Sequence, residues 1–101
     1  MKKINIAPKF EKDLKKVREY KGFKKEKLAT LTNMIAAGEK LPVSAQDHKM
    51  SSTSPEHYQG TRNFHVAPDI CVIYRVDDSY VYLLRIGKHN NLNLTESESN
   101  V

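Results

Sequence analysis

Apolar residues recur at different spacings along this chain, and the spacing divides it into elements. Ile4 and Ile6 alternate with polar neighbours, the two-residue period of a short first strand. Phe10, Leu14 and Val17 then recur three to four residues apart, as one face of a helix does. Pro8 stands where that helix begins, since its fixed φ suits a first turn. The pattern predicts a helix over residues 8–20, ended by Gly22, which can take the left-handed cap conformation. Leu28, Leu31 and Ile35 line one face of a second helix over residues 24–37, stopped by Gly38. The link between the helices is short, so an antiparallel pair is expected.

Residues 39–59 hold no sustained period. Pro42, Pro55 and the run Ser51-Ser52-Thr53-Ser54 mark a long loop, and such loops in compact domains are uncommon and often functional. Three strand-like segments follow. Residues 61–66 alternate, with Arg62, Phe64 and Val66 on one side and Thr61, Asn63 and His65 on the other. Residues 70–76 are apolar and β-branched and read as a central strand. Residues 80–86 form a similar strand, joined to it by the turn Asp77-Asp78-Ser79. The order β-α-α-β-β-β predicts an α+β fold: two N-terminal helices packed on a small antiparallel sheet whose other face is open for a groove.

Composition bounds the function. A chain of 101 residues fits one domain. Seventeen Lys and Arg against twelve Asp and Glu give a net charge of +5. That balance suits a polyanionic partner (RNA, DNA or an acidic protein), although charge alone also serves solubility. The residues after Leu94 are polar and acidic, so the domain is expected over residues 1–94 and a flexible tail over 95–101. No apolar run approaches the roughly 20 residues of a membrane span. The first residues lack the apolar core of a signal peptide, and Cys71 is the only cysteine, so a cytoplasmic location is expected. Cys71 reads as a small core residue of the central strand.

The candidate chemistry lies in four histidines: His48, His57, His65 and His89. The strings Leu41-Pro42, Asp47-His48, Gly60-Thr61-Arg62, His65-Val66-Ala67-Pro68-Asp69, Tyr74-Arg75-Val76 and Leu84-Arg85-Ile86-Gly87-Lys88-His89 resemble, in this order, the YafQ branch of the RelE toxin superfamily. The resemblance runs from the first strand to about Leu92. It implies a microbial RNase fold, cleavage of messenger RNA on the ribosome, and neutralisation by a small antitoxin of the DinJ or RelB kind, with operator DNA reached only through that antitoxin. It implies no cofactor and no metal. Its catalytic set falls on His48, His65, Asp69 and His89, with Arg85 in the place of a phosphate-binding arginine; Arg62 and Lys88 are candidate substrate contacts. Two features depart from the family pattern. No aromatic follows His89, where the sequence reads Asn90-Asn91-Leu92-Asn93-Leu94, and the loop between His48 and His65 is longer through residues 51–54.

These residue types suit the reaction. RNA carries its own nucleophile, the 2′-hydroxyl, so a metal-free nuclease needs a base, an acid for the leaving 5′-oxygen, and a cation for the growing phosphate charge. Histidine, with a pKa of roughly 6.5, serves as either acid or base near neutrality. Arginine stays charged and forks onto phosphate oxygens. His89 is assigned as the acid, Asp69 with His48 as the base side, and His65 as an orienting group. Arg85 is assigned to the transition-state charge, with Arg62 weaker in that role. Each residue also has a plainer role open to it. His65 can be an exposed strand residue, His48 and Asp69 turn residues, His89 a strand cap, and Arg85 the partner of an acid inside the sheet. His57 matches no family position, and no histidine pair has zinc-motif spacing. Two other functions compete: a toxin-like module that only binds antitoxin and operator DNA, and a nonspecific basic RNA binder. Against the latter, the five tyrosines show no evident stacking surface in the sequence.

Overall fold

The structure is a computed structural model, and it describes residues 1–49 and 60–88. Strand β1 (Lys3–Ile6) leads into helix α1 (Pro8–Val17), and α2 (Lys25–Ala36) follows. Ala7 is extended, and Pro8 opens the first helical turn, where no N–H is needed. Glu11 in the first turn and Lys15 and Lys16 in the last complement the helix dipole. Phe10 and Val17 are buried as their spacing predicted, with Leu14 packed against them. Helix α1 ends sooner than the spacing suggests, at Val17, and a turn carries the chain to Gly22 at φ +86°.

Helix α2 buries Leu28, Leu31 and Ile35 on one face. Thr32 is buried beside them, and its hydroxyl donates to the Leu28 carbonyl at 2.8 Å, so the group is satisfied within the helix. The helix stops at a Schellman cap. Gly38 sits at φ +78° and its N–H donates to Ile35 O, while Glu39 N–H donates to Met34 O. None of the described helices is long and apolar enough to cross a membrane.

After a short 3-10 turn (Val43–Ala45) come β2 (His48–Lys49), β3 (Arg62–Ala67), β4 (Ile70–Val76) and β5 (Tyr80–Lys88). The five strands make one sheet in the order β1-β5-β4-β3-β2. Four are antiparallel neighbours: β3, β4 and β5 as expected, and β2 at His48–Lys49, inside the stretch read as a loop. The first strand differs: β1 runs parallel to β5, so the sheet is mixed. A parallel pair needs a long crossover, and here nearly the whole chain lies between the partners; strand periodicity carries no trace of such a pairing. The β4–β5 turn is built by Asp77, whose Oδ1 accepts the N–H groups of Ser79 and Tyr80 at 2.8 and 2.7 Å.

The register separates two faces. Phe64, Val72 and Ile86 form one cross-strand row, and Tyr74 and Leu83 belong to the next; all five join the core that the helices cover. Phe64 and Tyr74 meet edge to face, ring centroids 5.5 Å apart. The alternate positions face the other way. His48, Asn63, Ile73 and Arg85 make one row, His65, Cys71 and Gly87 the row on one side of it, and Arg75 and Tyr82 the row on the other. A bulge between Ile73 and Tyr74 keeps Arg85 on this face.

Candidate active site

His48 and His65 share the face away from the helices. His48 begins β2 and pairs with Asn63 on β3, and His65 stands two residues further along β3. Arg85 closes the same row on β5, three strand spacings or about 14 Å of backbone from His48. Asp69 is exposed in the turn between β3 and β4. That turn lies at the end of the sheet where Ile70 pairs with Lys88, so Asp69, His65 and Lys88 share one end. His89 and His57 lie outside the described residues, as do Ser51 to Ser54, the stretch from Asn90 to Leu94, and the expected tail over residues 95–101.

The local geometry of His48 sets its tautomer. Gln46 takes the left-handed conformation, φ 51°, and its carbonyl accepts a bond from His48 Nδ1–H at 2.7 Å. With Nδ1 committed as the donor, the neutral ring carries its basic lone pair on Nε2. The imidazole is exposed, so that nitrogen can exchange protons with a substrate.

Two arginines expected to meet substrate each hold an aspartate. Arg85 donates to Asp13 on α1 through Nε at 2.6 Å and Nη2 at 3.1 Å. The same carboxylate accepts the Ile86 N–H at 3.2 Å. β1 ends at Ile6, opposite Leu83, so among the described residues the outer edge of β5 beyond that point has no strand beside it. Asp13 fills that place, taking an edge donor and the arginine fork together. A cleft of about 160 Å³ runs here between Asp13, Lys16, Tyr20, Arg85 and Gly87. Lys88, a candidate substrate contact, lies over the Tyr20 ring, 4.7 Å from its centroid.

Arg62 meets Asp47 through Nε at 3.3 Å and Nη2 at 3.2 Å. Tyr74 completes this cluster: its hydroxyl donates to Asp47 Oδ1 at 2.6 Å and accepts from Arg62 Nε at 3.2 Å. Burial, then the bond to Asp47, pushes the Tyr74 hydroxyl well above the usual tyrosine range. The bond to Asp47 raises the Arg62 guanidinium further, so it stays charged. The cluster ties the residue preceding His48 to β3 and β4.

The sequence reading missed Asp13, Asp47, Tyr74 and Asn63. Asp13 had a signal. It lies three residues after Phe10 and four before Val17, so a carboxylate sits on the apolar stripe of α1 and needs a partner. Asn63 is 1% exposed in the centre of the histidine row, and its Oδ1 accepts no hydrogen bond among the described residues. The tyrosines also group more than the sequence suggested: the Tyr80 and Tyr82 rings lie 5.7 Å apart. A hollow of about 620 Å³ lies elsewhere, between Met1, the C-terminal end of α2 and the β4–β5 turn, and holds none of the candidate residues.

The comparisons agree with the fold. Residues 2–94 match the family model described as the bacterial toxin of type II toxin–antitoxin system, YafQ. A copper-bound mutant toxin from Helicobacter pylori is similar, with 30% identity and a TM-score of 0.80 over 91% of this chain and 99% of that one. YafQ from E. coli strain BL21(DE3) has 27% identity and a TM-score of 0.73 over 91% of this chain and 98% of its own. The E. coli DinJ–YafQ toxin–antitoxin complex gives 28% identity and a TM-score of 0.71 over 90% of this chain and 96% of that one. No curated protein sequence matches significantly. Among the described residues of this chain, no three His, Cys, Asp or Glu side chains gather to hold a metal ion.

Proposed function

Starting from a chain that belongs to the YafQ family of bacterial type II toxin–antitoxin toxins, we propose that it is an endoribonuclease. In this reading it cuts messenger RNA on the ribosome and is neutralised by an antitoxin comparable to the DinJ that accompanies E. coli YafQ. Operator DNA is reached through the antitoxin. The observation that carries the reading is the placement of His48, His65 and Arg85 on one sheet face, with the His48 tautomer fixed so that Nε2 is the basic nitrogen. His48 or Asp69, on the base side, takes the 2′-hydroxyl proton; the oxygen attacks phosphorus; the 5′-oxygen leaves with a proton from His89; a 2′,3′-cyclic phosphate remains. His65 orients the substrate, and Arg85, with Arg62 and Lys88 as outlying contacts, offsets the phosphate charge.

Purified protein incubated with ribosomes carrying a message should yield fragments ending in a cyclic phosphate, and His89→Ala should abolish them while the fold persists. Cleavage by His89→Ala at the parent's rate would remove the acid assignment. A second reading, a module of weak or no nuclease activity that acts by binding antitoxin and operator DNA, is favoured by one observation: Asp13 occupies the Arg85 fork. Growth arrest on expression without antitoxin, lost in His48→Ala, speaks against it.

A further inference from the structure

Beyond the histidine row the same face changes character. The next row holds Arg75 on β4 and Tyr82 on β5, and Tyr80 follows two residues away. The two tyrosine rings are tilted by 32° with centroids 5.7 Å apart, and Tyr80 is 36% exposed. Tyr82 is held in place, since its hydroxyl donates to Asp77 Oδ2 at 2.9 Å and Asp77 is itself fixed by two backbone N–H groups. Arg75 also lines a groove of about 340 Å³ with Lys49, Gly60, Thr61, Arg62 and Val76. Asp47 already compensates Arg62. Arg75 and Lys49 are exposed and make no ion pair among the described residues. Among the described residues the groove therefore collects two like charges with no ion pair of their own, beside an aromatic pair, and Lys49 directly follows His48 in sequence.

We propose that this face, with the groove at its end, binds the single-stranded RNA flanking the cut, Tyr80 and Tyr82 stacking on a base and Arg75, with Lys49 across the groove, holding a backbone phosphate. Charge with stacking aromatics is what a sequence-tolerant single-strand site requires. An acidic protein segment would satisfy the cations but would make no use of two adjacent rings. The inference rests on the nuclease reading for its substrate, and it assigns the tyrosines a role that the sequence alone did not suggest.

The test measures binding apart from cutting. The full chain is titrated with a fluorescent 2′-O-methyl RNA of about twelve nucleotides, which lacks the attacking hydroxyl and stays intact. Tyr80→Ala should weaken binding about tenfold, as loss of one stacked base does, and Tyr80→Phe should restore it. Arg75→Ala should weaken binding and lower the slope of log affinity against log salt by about 0.7, one single-strand phosphate. Far-ultraviolet circular dichroism checks that each variant folds, and Arg75→Ala carries the test should Tyr80→Ala not fold. Parent-like RNA binding by both variants overturns the proposal. So does a poly-glutamate peptide that binds as tightly as RNA and loses as much in Tyr80→Ala, since the face would then be a protein-docking surface. A parent that binds the RNA with this sensitivity but never cuts a ribosome-bound message refutes the nuclease reading alone.

Discussion

Two aspartate–arginine forks hold opposite sides of this sheet, and they are not equivalent. At the β2 side Asp47 meets Arg62 and also accepts the Tyr74 hydroxyl, which is rooted in the core. At the β5 side Asp13 meets Arg85 and, among the described residues, also accepts a backbone N–H. The first fork joins a loop to the sheet, and Arg62 pairs across the strands with core residues. The second joins a helix to a strand edge, and its arginine lies in the histidine row. The same pair of residue types thus serves cohesion in one place and holds a cation in the His48 row in the other. Both arginines remain about a third exposed, at 35% and 30%, so the ion pairing itself contributes modestly at either site. What distinguishes them is the third partner.

The largest expected effect tests that distinction directly. Arg85→Ala should lower kcat for message cleavage about 10²–10³-fold, the cost of removing a donor aimed at developing charge, with stability changed by about 1 kcal/mol. Arg62→Ala should do the reverse, with cleavage reduced less than tenfold and a stability loss of about 1–3 kcal/mol because Asp47 and Tyr74 lose a shared partner. Equal kinetic losses in the two variants, read in one ribosome-dependent assay, would erase the contrast.

Next in size is Asp47→Ala, which removes the acceptor of both Arg62 and the buried Tyr74 hydroxyl. Urea unfolding should show a loss of about 2–3 kcal/mol, since a buried donor left unsatisfied costs that much. Because Asp47 precedes His48, cleavage should also fall, through a poorly positioned base. A variant as stable as the parent would mean that the cluster is a surface ornament of the loop.

Asp13→Ala follows, with an expected tenfold fall in cleavage, on the order of what a misplaced catalytic group costs. In this account Asp13 is a positioning residue that keeps the Arg85 fork at the sheet edge. Its sign matters more than its size. A rise in cleavage would make Asp13 a competitor for the phosphate, and would favour the weakly active toxin reading.

The same contrast explains what could be read from the chain. Helix faces were legible because Phe10, Val17, Leu28, Leu31 and Ile35 fall at helical spacing and bury accordingly. Gly38 and Asp77 were legible because caps and turns are local chemistry. His48, His65 and Arg85 were found as residue types, but nothing local told which of them share a row; that follows from strand register, fixed by contacts far apart in sequence. The forks join residues 72 and 15 positions apart, and the Tyr74–Asp47 bond spans 27. The parallel place of β1 beside β5 is of the same long-range kind. The Tyr80–Tyr82 pair was within reach, since residues two apart in a strand share a face.

The smallest effect isolates the third partner itself. Tyr74→Phe keeps the Asp47–Arg62 contact and removes only the hydroxyl, so it should cost about 1 kcal/mol at neutral pH. The variant changes one fork and leaves the Asp13–Arg85 contact untouched. The native Tyr74 hydroxyl is raised above its unfolded value, which is roughly 10. Its contribution is therefore complete below about pH 10, where the hydroxyl is protonated in both states, and is lost as pH rises toward the native value. Above pH 10 the unfolded chain binds fewer protons than the native one, so parent stability falls with pH in a way the phenylalanine variant does not share. Urea unfolding of both proteins from about pH 8 to pH 11 should give a difference that is flat at first and then shrinks. A difference that stays constant across that range would mean that Tyr74 ionises as freely in the native protein as in the unfolded chain, and that the Asp47 fork is no more anchored than the one at Asp13.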